Sequence, residues 1–284
     1  MAQRPRSLQS KKYIAKKRKR SLKIAGIVVF CVAALFSLIV FVLRIDAFQI
    51  TTIQVSGNRG IETEQVKELV SAHIGAYYLG LIPKTNIFLY PADDIVLDLV
   101  ASFIRIDGVR LARHGEILEV VVRERVPEAV VCWADLQRSA CRFSDMHAIT
   151  YAPAPEFSGK VYTEFVLPAG ETPSQTEESA PFMDPVLFQK YLEIAAGIEK
   201  FGFSVSTIYL YDDGDVVLKA YTAKSQETQF FIRGGDSAAM VLGNLGLFLG
   251  KAKGVFTQID LRYGNSVFYK QAGGASSTST NAKK

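Results

Sequence analysis

Between Ile24 and Leu43 the chain reads IAGIVVFCVAALFSLIVFVL, twenty consecutive residues without a charge. At helical rise this run covers about 30 Å, the thickness of a bilayer's hydrocarbon core. A helix buried in a soluble domain would show some polar face, and this run has none. Residues 1–23 carry ten Lys or Arg and no Asp or Glu. Positive flanks stay on the cytoplasmic side, and Arg44 with Asp46 marks the outer exit, so the pattern predicts a single span with the N-terminus inside. A cleaved signal peptide is the competing reading. Its apolar core would be about 7 to 15 residues long, followed by a small-x-small site that Arg44-Ile45-Asp46-Ala47 supplies poorly. The basic flank next to a span also favours anionic lipid, which makes membrane lipid an expected partner.

The formal charge of +5 conceals a segregation: removing the +10 of residues 1–23 leaves −5 for everything beyond Leu43. A mildly acidic outer part argues against nucleic acid as its ligand. With 49% hydrophobic residues among 284, the chain can build a packed core there. Cys31 lies within the apolar run. Cys132 and Cys141 both fall outside the cytoplasm, where a disulfide is permitted, with two half-buried free thiols as the alternative. Neither has the neighbouring His or Cys cluster that a metal site needs.

Beyond the span, Phe48 to Val55 is rich in β-branched residues and closes on Ser56-Gly57-Asn58, a strand and turn. Val66, Leu69, Val70, His73 and Ile74 recur at helical spacing up to Gly75, and a second helix from Pro91 carries Ile95, Leu99 and Phe103. Strands at 106–111 and 117–125 follow, ended by Pro127, so the order is strand, helix, helix, strand, strand. Residues 128–168 alternate short apolar runs with turns and predict strands. Residues 169–181, AGETPSQTEESAP, have no large apolar group and predict a mobile surface loop. Asp184-Pro185 opens a helix whose Leu187, Tyr191, Ala195 and Ile198 share a face. Strands at 207–211 and 215–221 flank Asp213-Gly214, a strong hairpin signal. A strand at 228–233 and a helix from Asp236 to about Lys251 come next, the latter offering Met240, Leu245 and Leu249 for burial. In the final strand, 257–270, Ile259, Leu261 and Tyr263 alternate with Gln258, Asp260 and Arg262. The polar residues 271–284 predict a disordered tail.

No catalytic constellation emerges. The three His, at 73, 114 and 147, sit on separate elements, and no nucleophile elbow, zinc-protease helix or phosphate loop occurs. Asp93-Asp94 and Asp212-Asp213 stand where capping and turn formation call for carboxylates. Gly243, Gly246 and Gly250 do not match a dinucleotide turn and suit close helix packing instead. The expectation is a non-enzymatic binding protein without cofactor, metal, nucleic acid or small-molecule substrate.

Three stretches carry a family resemblance: Ile53-Gln54-Val55-Ser56-Gly57-Asn58, Leu118 through Arg125-Val126-Pro127, and Ile259-Asp260-Leu261-Arg262-Tyr263-Gly264-Asn265. The segment Ile82-Pro83-Lys84-Thr85-Asn86-Ile87-Phe88 adds to them. Their order behind one membrane span resembles the FtsQ/DivIB family of bacterial cell-division proteins, and the strand-helix-helix-strand-strand unit looks like a POTRA domain. The resemblance covers residues 20–270 and leaves loop 169–181 and the strands bearing Cys132 and Cys141 without a family role.

The resemblance implies an α+β fold: an N-terminal transmembrane helix, a POTRA domain (β-α-α-β-β), then a mostly antiparallel β-sheet domain with two packed helices. The segments are a basic cytoplasmic tail (1–21), the span (22–43), the POTRA domain (48–127), an FtsQ-type β domain (128–270) and the tail (271–284). It implies a divisome scaffold that binds FtsB- and FtsL-like membrane proteins, among other divisome components, at the septum of the inner membrane. An open last strand would capture an extended partner segment by strand addition. Carried over by position, the partner surface is Arg262, Tyr263, Ser266, Val267, Phe268 and Tyr269, with Tyr263 as aromatic anchor and Arg262 pairing an acidic side chain. The bland alternative puts Tyr263 in the core and makes Arg262 only a solvated or ion-paired residue. A POTRA-bearing export or membrane-assembly component is a second functional class. An extracytoplasmic sensor or enzyme with a ligand pocket is a third.

Overall fold

The structure, a computed structural model, describes residues 11–133, 141–168, 180–264, 266–273 and 278–281. It divides into two compact units, Met1–Arg123 and Glu124–Lys284.

The first unit begins with α1 (Lys11–Leu43), which extends the apolar run backwards through the basic segment. Its stretch from Lys17 to Leu43 is long and apolar enough to cross a membrane, and the most apolar part is 0% buried within the protein. A 3-10 turn at Asp46–Phe48 leads into β1 (Thr52–Ser56). Then come α2 (Thr63–Ile74), a short hairpin of β2 (Tyr77–Tyr78) and β3 (Ile82–Pro83), α3 (Ala92–Ser102), β4 (Ile106–His114) and β5 (Ile117–Glu124). The expected order of strand, helix, helix, strand, strand is present, and the hairpin between the helices is an addition. The sheet order is β1-β5-β4, with β1 parallel to β5 from Thr52 opposite Ile117 to Ser56 opposite Val121.

Helical spacing puts Val66, Val70 and Ile74 of α2 on one buried face, and Ile95 and Leu99 of α3 beside them. They close over Leu118, Val120 and Val122, the inward set of β5, in one core. Each such side chain contributes about 1.5–3 kcal/mol by leaving water. Gly57 turns the chain after β1 at φ +84°, and a Cβ there would meet the Val122 carbonyl oxygen at 2.2 Å. His73 lies at the edge of this face, where its Nε2 is 2.8 Å from Asp98, a structural contact between the two helices.

The second unit is a ten-stranded sheet with two helices on one face. Its strands are β6 (Ala129–Trp133), β7 (Arg142–Ser144), β8 (Thr150–Pro153), β9 (Thr163–Leu167), β10 (Phe203–Leu210), β11 (Asp215–Thr222), β12 (Glu227–Arg233), β13 (Phe256–Tyr263), β14 (Ser266–Gln271) and β15 (Thr278–Asn281). They run in the order β15-β14-β13-β12-β11-β10-β9-β6-β7-β8, mostly antiparallel. Parallel pairs occur where α4 (Pro185–Glu199) carries the chain from β9 to β10 and α5 (Ala238–Lys251) from β12 to β13. A third parallel pair joins β6 to β9. Crossovers through a helix return a strand parallel to the one it left.

Asp184 caps α4, its side chain accepting from the amides of Val186 and Leu187, with Pro185 in the first turn. Phe188, Tyr191, Ile194 and Ile198 of α4 and Val241, Leu245 and Phe248 of α5 meet Phe165, Ile208, Leu218, Phe230 and Ile259 in one large core. Of the α5 residues expected to be buried, Leu245 is and Leu249 packs part-buried on the core; Met240 is 39% exposed and Val241 takes its place. The close approach of α4 and α5 depends on Gly197, where a Cβ would stand 2.3 Å from Leu242, and Gly243 and Gly250 face open space. Of the α5 glycines expected to allow close packing, Gly246 does so, a Cβ there standing 3.3 Å from the Phe201 ring, and Gly197 on α4 adds the tighter approach.

Two expectations about the C-terminus change. Residues 278–281 of the tail expected to be disordered form β15, antiparallel to β14 from Ser266 opposite Asn281 to Tyr269 opposite Thr278. The outer margin of β14, expected to be open, therefore carries a strand of the chain itself. Residues 169–179 of the expected loop lie outside the described residues.

Candidate functional site

The C-terminal end of the large sheet gathers the residues singled out for partner binding. Alternation puts Ile259, Leu261 and Val267 into the core, all 1% exposed or less. Tyr269 packs half-buried against Phe248 and Phe256, with ring centroids 5.1 and 5.5 Å away. Val267 is buried beneath β14 and offers no side-chain contact, whereas Tyr269 packs on the core and keeps part of its surface.

Tyr263 faces outward and does not take the core position of the bland alternative. The pairing of β13 with β14 shifts between Asp260 and Tyr263, and the shift turns Tyr263 out of the alternation. It is 51% exposed and lies edge-to-face on Phe268, with centroids 4.9 Å apart. Tyr263 and Phe268 form an exposed aromatic pair beside the strand edge, with Ser266 next to them on the margin. Asn244 of α5 donates to the Gly264 carbonyl at 2.7 Å and fixes the turn from the helix side. Asn265 lies outside the described residues.

Arg262 is engaged internally. Its Nε and Nη2 donate to the two oxygens of Asp260 at 3.0 and 2.7 Å, and its Nη1 donates to Asp215. The guanidinium lies over the Phe231 ring, 5.5 Å from the centroid. The hydrogen bond to Asp260 is the largest influence raising its pKa, with Asp215 adding to it against the cost of burial. This fork ties β13 to β11 across β12, so a partner carboxylate would have to compete with two carboxylates already in place. Sequence spacing could not find Asp215, since it lies 47 positions away and becomes a neighbour only through strand order.

At the opposite end of the sheet, Cys132 and Cys141 are joined by a disulfide, which settles the two open alternatives for this pair. With Val130, Ala154, Phe143 and Tyr162 they form a small apolar cluster apart from the main core. Nearby, Arg125 Nη1 donates to Asp145 at 2.5 Å, both side chains being at least 90% buried. The other Asp145 oxygen accepts from the amides of His147 and Ile149 at 2.9 and 3.0 Å. Arg125 belongs to the Glu-Arg-x-Pro stretch that carried the resemblance, and its role here is to pin the start of the unit to the β7–β8 turn.

The geometry of the C-terminal margin suits recognition of an extended chain. The β14 ladder is taken up from Ser266 to Tyr269 by a four-residue strand of the chain itself, and an exposed aromatic pair stands beside it. β15 went unseen in the sequence because Thr-Ser-Thr-Asn offers no apolar alternation to mark a strand. No protein-family model matches this chain, and no curated protein matches it.

Proposed function

We propose that this chain is a non-enzymatic membrane scaffold of the FtsQ/DivIB type. Anchored by α1 with its N-terminus in the cytoplasm, it holds FtsB- and FtsL-like proteins at the division septum. The extended segment of such a partner pairs with β14 in place of β15, and Tyr263 with Phe268 grips its side chains. The observation that carries this is the β14 margin, held only by four polar residues at the end of an otherwise well-packed sheet. Main-chain bonds supply affinity in strand addition, and adjacent aromatic side chains supply selectivity. The strand-helix-helix-strand-strand unit beyond α1 supports the POTRA likeness, and α1 itself supports anchoring. Because β15 already pairs with β14, the capture proposed here is an exchange and not a simple addition.

Imaging a fluorescent fusion of the full chain in dividing cells tests the division role. Accumulation at midcell that follows septum formation is expected. Uniform distribution over the cell envelope throughout the cycle rejects a septal role, and signal in the cytosol rejects membrane anchoring as well.

A further inference from the structure

The β2–β3 hairpin carries a side chain that turn chemistry does not ask for. Leu79 and Gly80 occupy its two central positions with φ +50° and +69°, and the Leu81 amide donates to the Tyr78 carbonyl at 2.9 Å. This is the geometry of a type I′ turn, whose first central position favours Asn, Asp or Gly. Leucine is disfavoured there by its Cβ and gains nothing from packing, being 97% exposed. The apolar exposure is concentrated. Between residues 48 and 123 seven large hydrophobic side chains are exposed, and six of them are Tyr77, Tyr78, Leu79, Leu81, Phe88 and Leu89.

The same segment is fastened to the end of α1. The Leu43 carbonyl, one of the helix's orphan C-terminal acceptors, receives Gln49 Nε2 at 2.7 Å and Asn86 Nδ2 at 2.9 Å. Asn86 is fully buried, and its own oxygen accepts from the Phe88 amide at 3.0 Å. Arg44 Nε donates to the Leu81 carbonyl at 2.8 Å, and the amides of Ile50 and Ile87 pair with the Thr85 and Phe48 carbonyls. The exposed apolar side chains of α1 continue through Phe41, Val42 and Ile45 at this junction. Lys84 stacks over Tyr78 and Arg113 over Phe88, at 5.2 and 5.3 Å from the ring centroids. Tyrosine at headgroup depth, leucine below it and basic side chains reaching for phosphate are the composition of a membrane-interface anchor.

Resting on the membrane anchoring proposed above, we propose that the Tyr77–Leu81 hairpin dips into the outer leaflet of the bilayer that α1 crosses, with Leu79 at its tip among the acyl chains. The Asn86–Leu43 latch holds hairpin and span as one unit. The folded part of the first unit then sits on the lipid surface in a fixed attitude and does not swing on a free tether.

The test uses the full chain with Cys31→Ser, one copy per lipid nanodisc, the native disulfide intact, and an environment-sensitive fluorophore on a single introduced cysteine. Labels at Leu79→Cys and Leu81→Cys report the hairpin, Ala101→Cys the far end of α3, and Phe36→Cys the span. The hairpin labels are expected to be quenched by lipid bearing a nitroxide near the headgroup, and to be about fivefold less accessible to aqueous iodide than the Ala101 label. Two hairpin positions guard against a local effect of either substitution. If the Phe36 label is quenched from the acyl-chain midpoint while both hairpin labels match Ala101 in iodide accessibility, the hairpin proposal is overturned and the anchoring stands. If Phe36 itself escapes lipid quenching, the anchoring fails. Shielding from iodide without lipid quenching at both hairpin sites also overturns the proposal, because protein would then cover the hairpin.

Discussion

Removing residues 274–284 should tighten partner binding, by an amount that the β14–β15 pairing bounds. Four residues of β15 face four of β14. An antiparallel pairing of this length supplies about four backbone hydrogen bonds, each contributing about 0.5–1.5 kcal/mol net. Ordering four residues costs roughly 1–2 kcal/mol apiece, and Thr, Ser and Asn side chains carry little apolar surface that could offset it. Bonding of about 2–6 kcal/mol against ordering of about 4–8 kcal/mol leaves the paired strand no more than about 2 kcal/mol of net stability, so β15 occupies the margin for about half to 97% of the time and the free-edge fraction is the complement. Apparent affinity scales with that fraction, so truncation should strengthen binding about two- to thirtyfold. The reverse perturbation is a lock. Ser266 and Asn281 stand directly opposite, and a pair of facing residues has a Cα separation of about 4.5–5.5 Å, which suits a disulfide. The S266C/N281C chain, oxidised, should lose capture of an extended partner peptide. Titrating a labelled FtsB-type peptide into wild-type, truncated and locked protein by fluorescence anisotropy measures all three. Unchanged affinity in the locked protein would refute exchange at β14. Weaker binding after truncation would mean that the tail belongs to the interface and does not compete for it.

Three further outcomes follow from the geometry. Tyr263→Ala removes the exposed half of the aromatic pair with Phe268 and should weaken peptide binding about thirtyfold, roughly 2 kcal/mol, with an unchanged melting temperature. Asp145→Ala removes the buried carboxylate that meets Arg125 and accepts from two amides, and should destabilise the protein by about 3–5 kcal/mol in urea unfolding, whereas binding at β14 by the remaining folded fraction is unaffected. Burial raises the Tyr191 pKa, so the native state keeps a phenol proton that the unfolded chain releases. Stability should therefore be full below the ordinary tyrosine pKa of about 10 and fall as pH rises beyond it. Tyr191→Phe should flatten that alkaline decline in a pH series of denaturation midpoints, and an identical decline in the variant would assign it to other groups.

Local signals served well wherever one residue type decides one geometry. Asp184-Pro185 opened α4, Asp213-Gly214 turned β10 into β11, and the spacing of Val66, Val70 and Ile74 marked a buried face. What stayed hidden depends on neighbours distant in sequence. Tyr263 faces outward because β13 slips against β14, a shift that period-two alternation cannot register. Arg262 meets Asp215 only because β11, β12 and β13 lie side by side. The hairpin carrying Leu79 at its tip has strands of two residues, too short for any periodicity, and its turn residue is one that turn statistics disfavour. β15 exists through the backbone ladder of β14, which its own four residues do not announce.

The most direct test of strand exchange at the septum is photo-crosslinking in living cells from a reactive residue placed at Phe268, 36% exposed beside the margin, with Glu156 as a distant control. An adduct with an FtsB- or FtsL-like protein from position 268, lost in the S266C/N281C lock and absent from position 156, is predicted. Equal adducts from both positions, or an adduct at 268 that survives the lock, would contradict it.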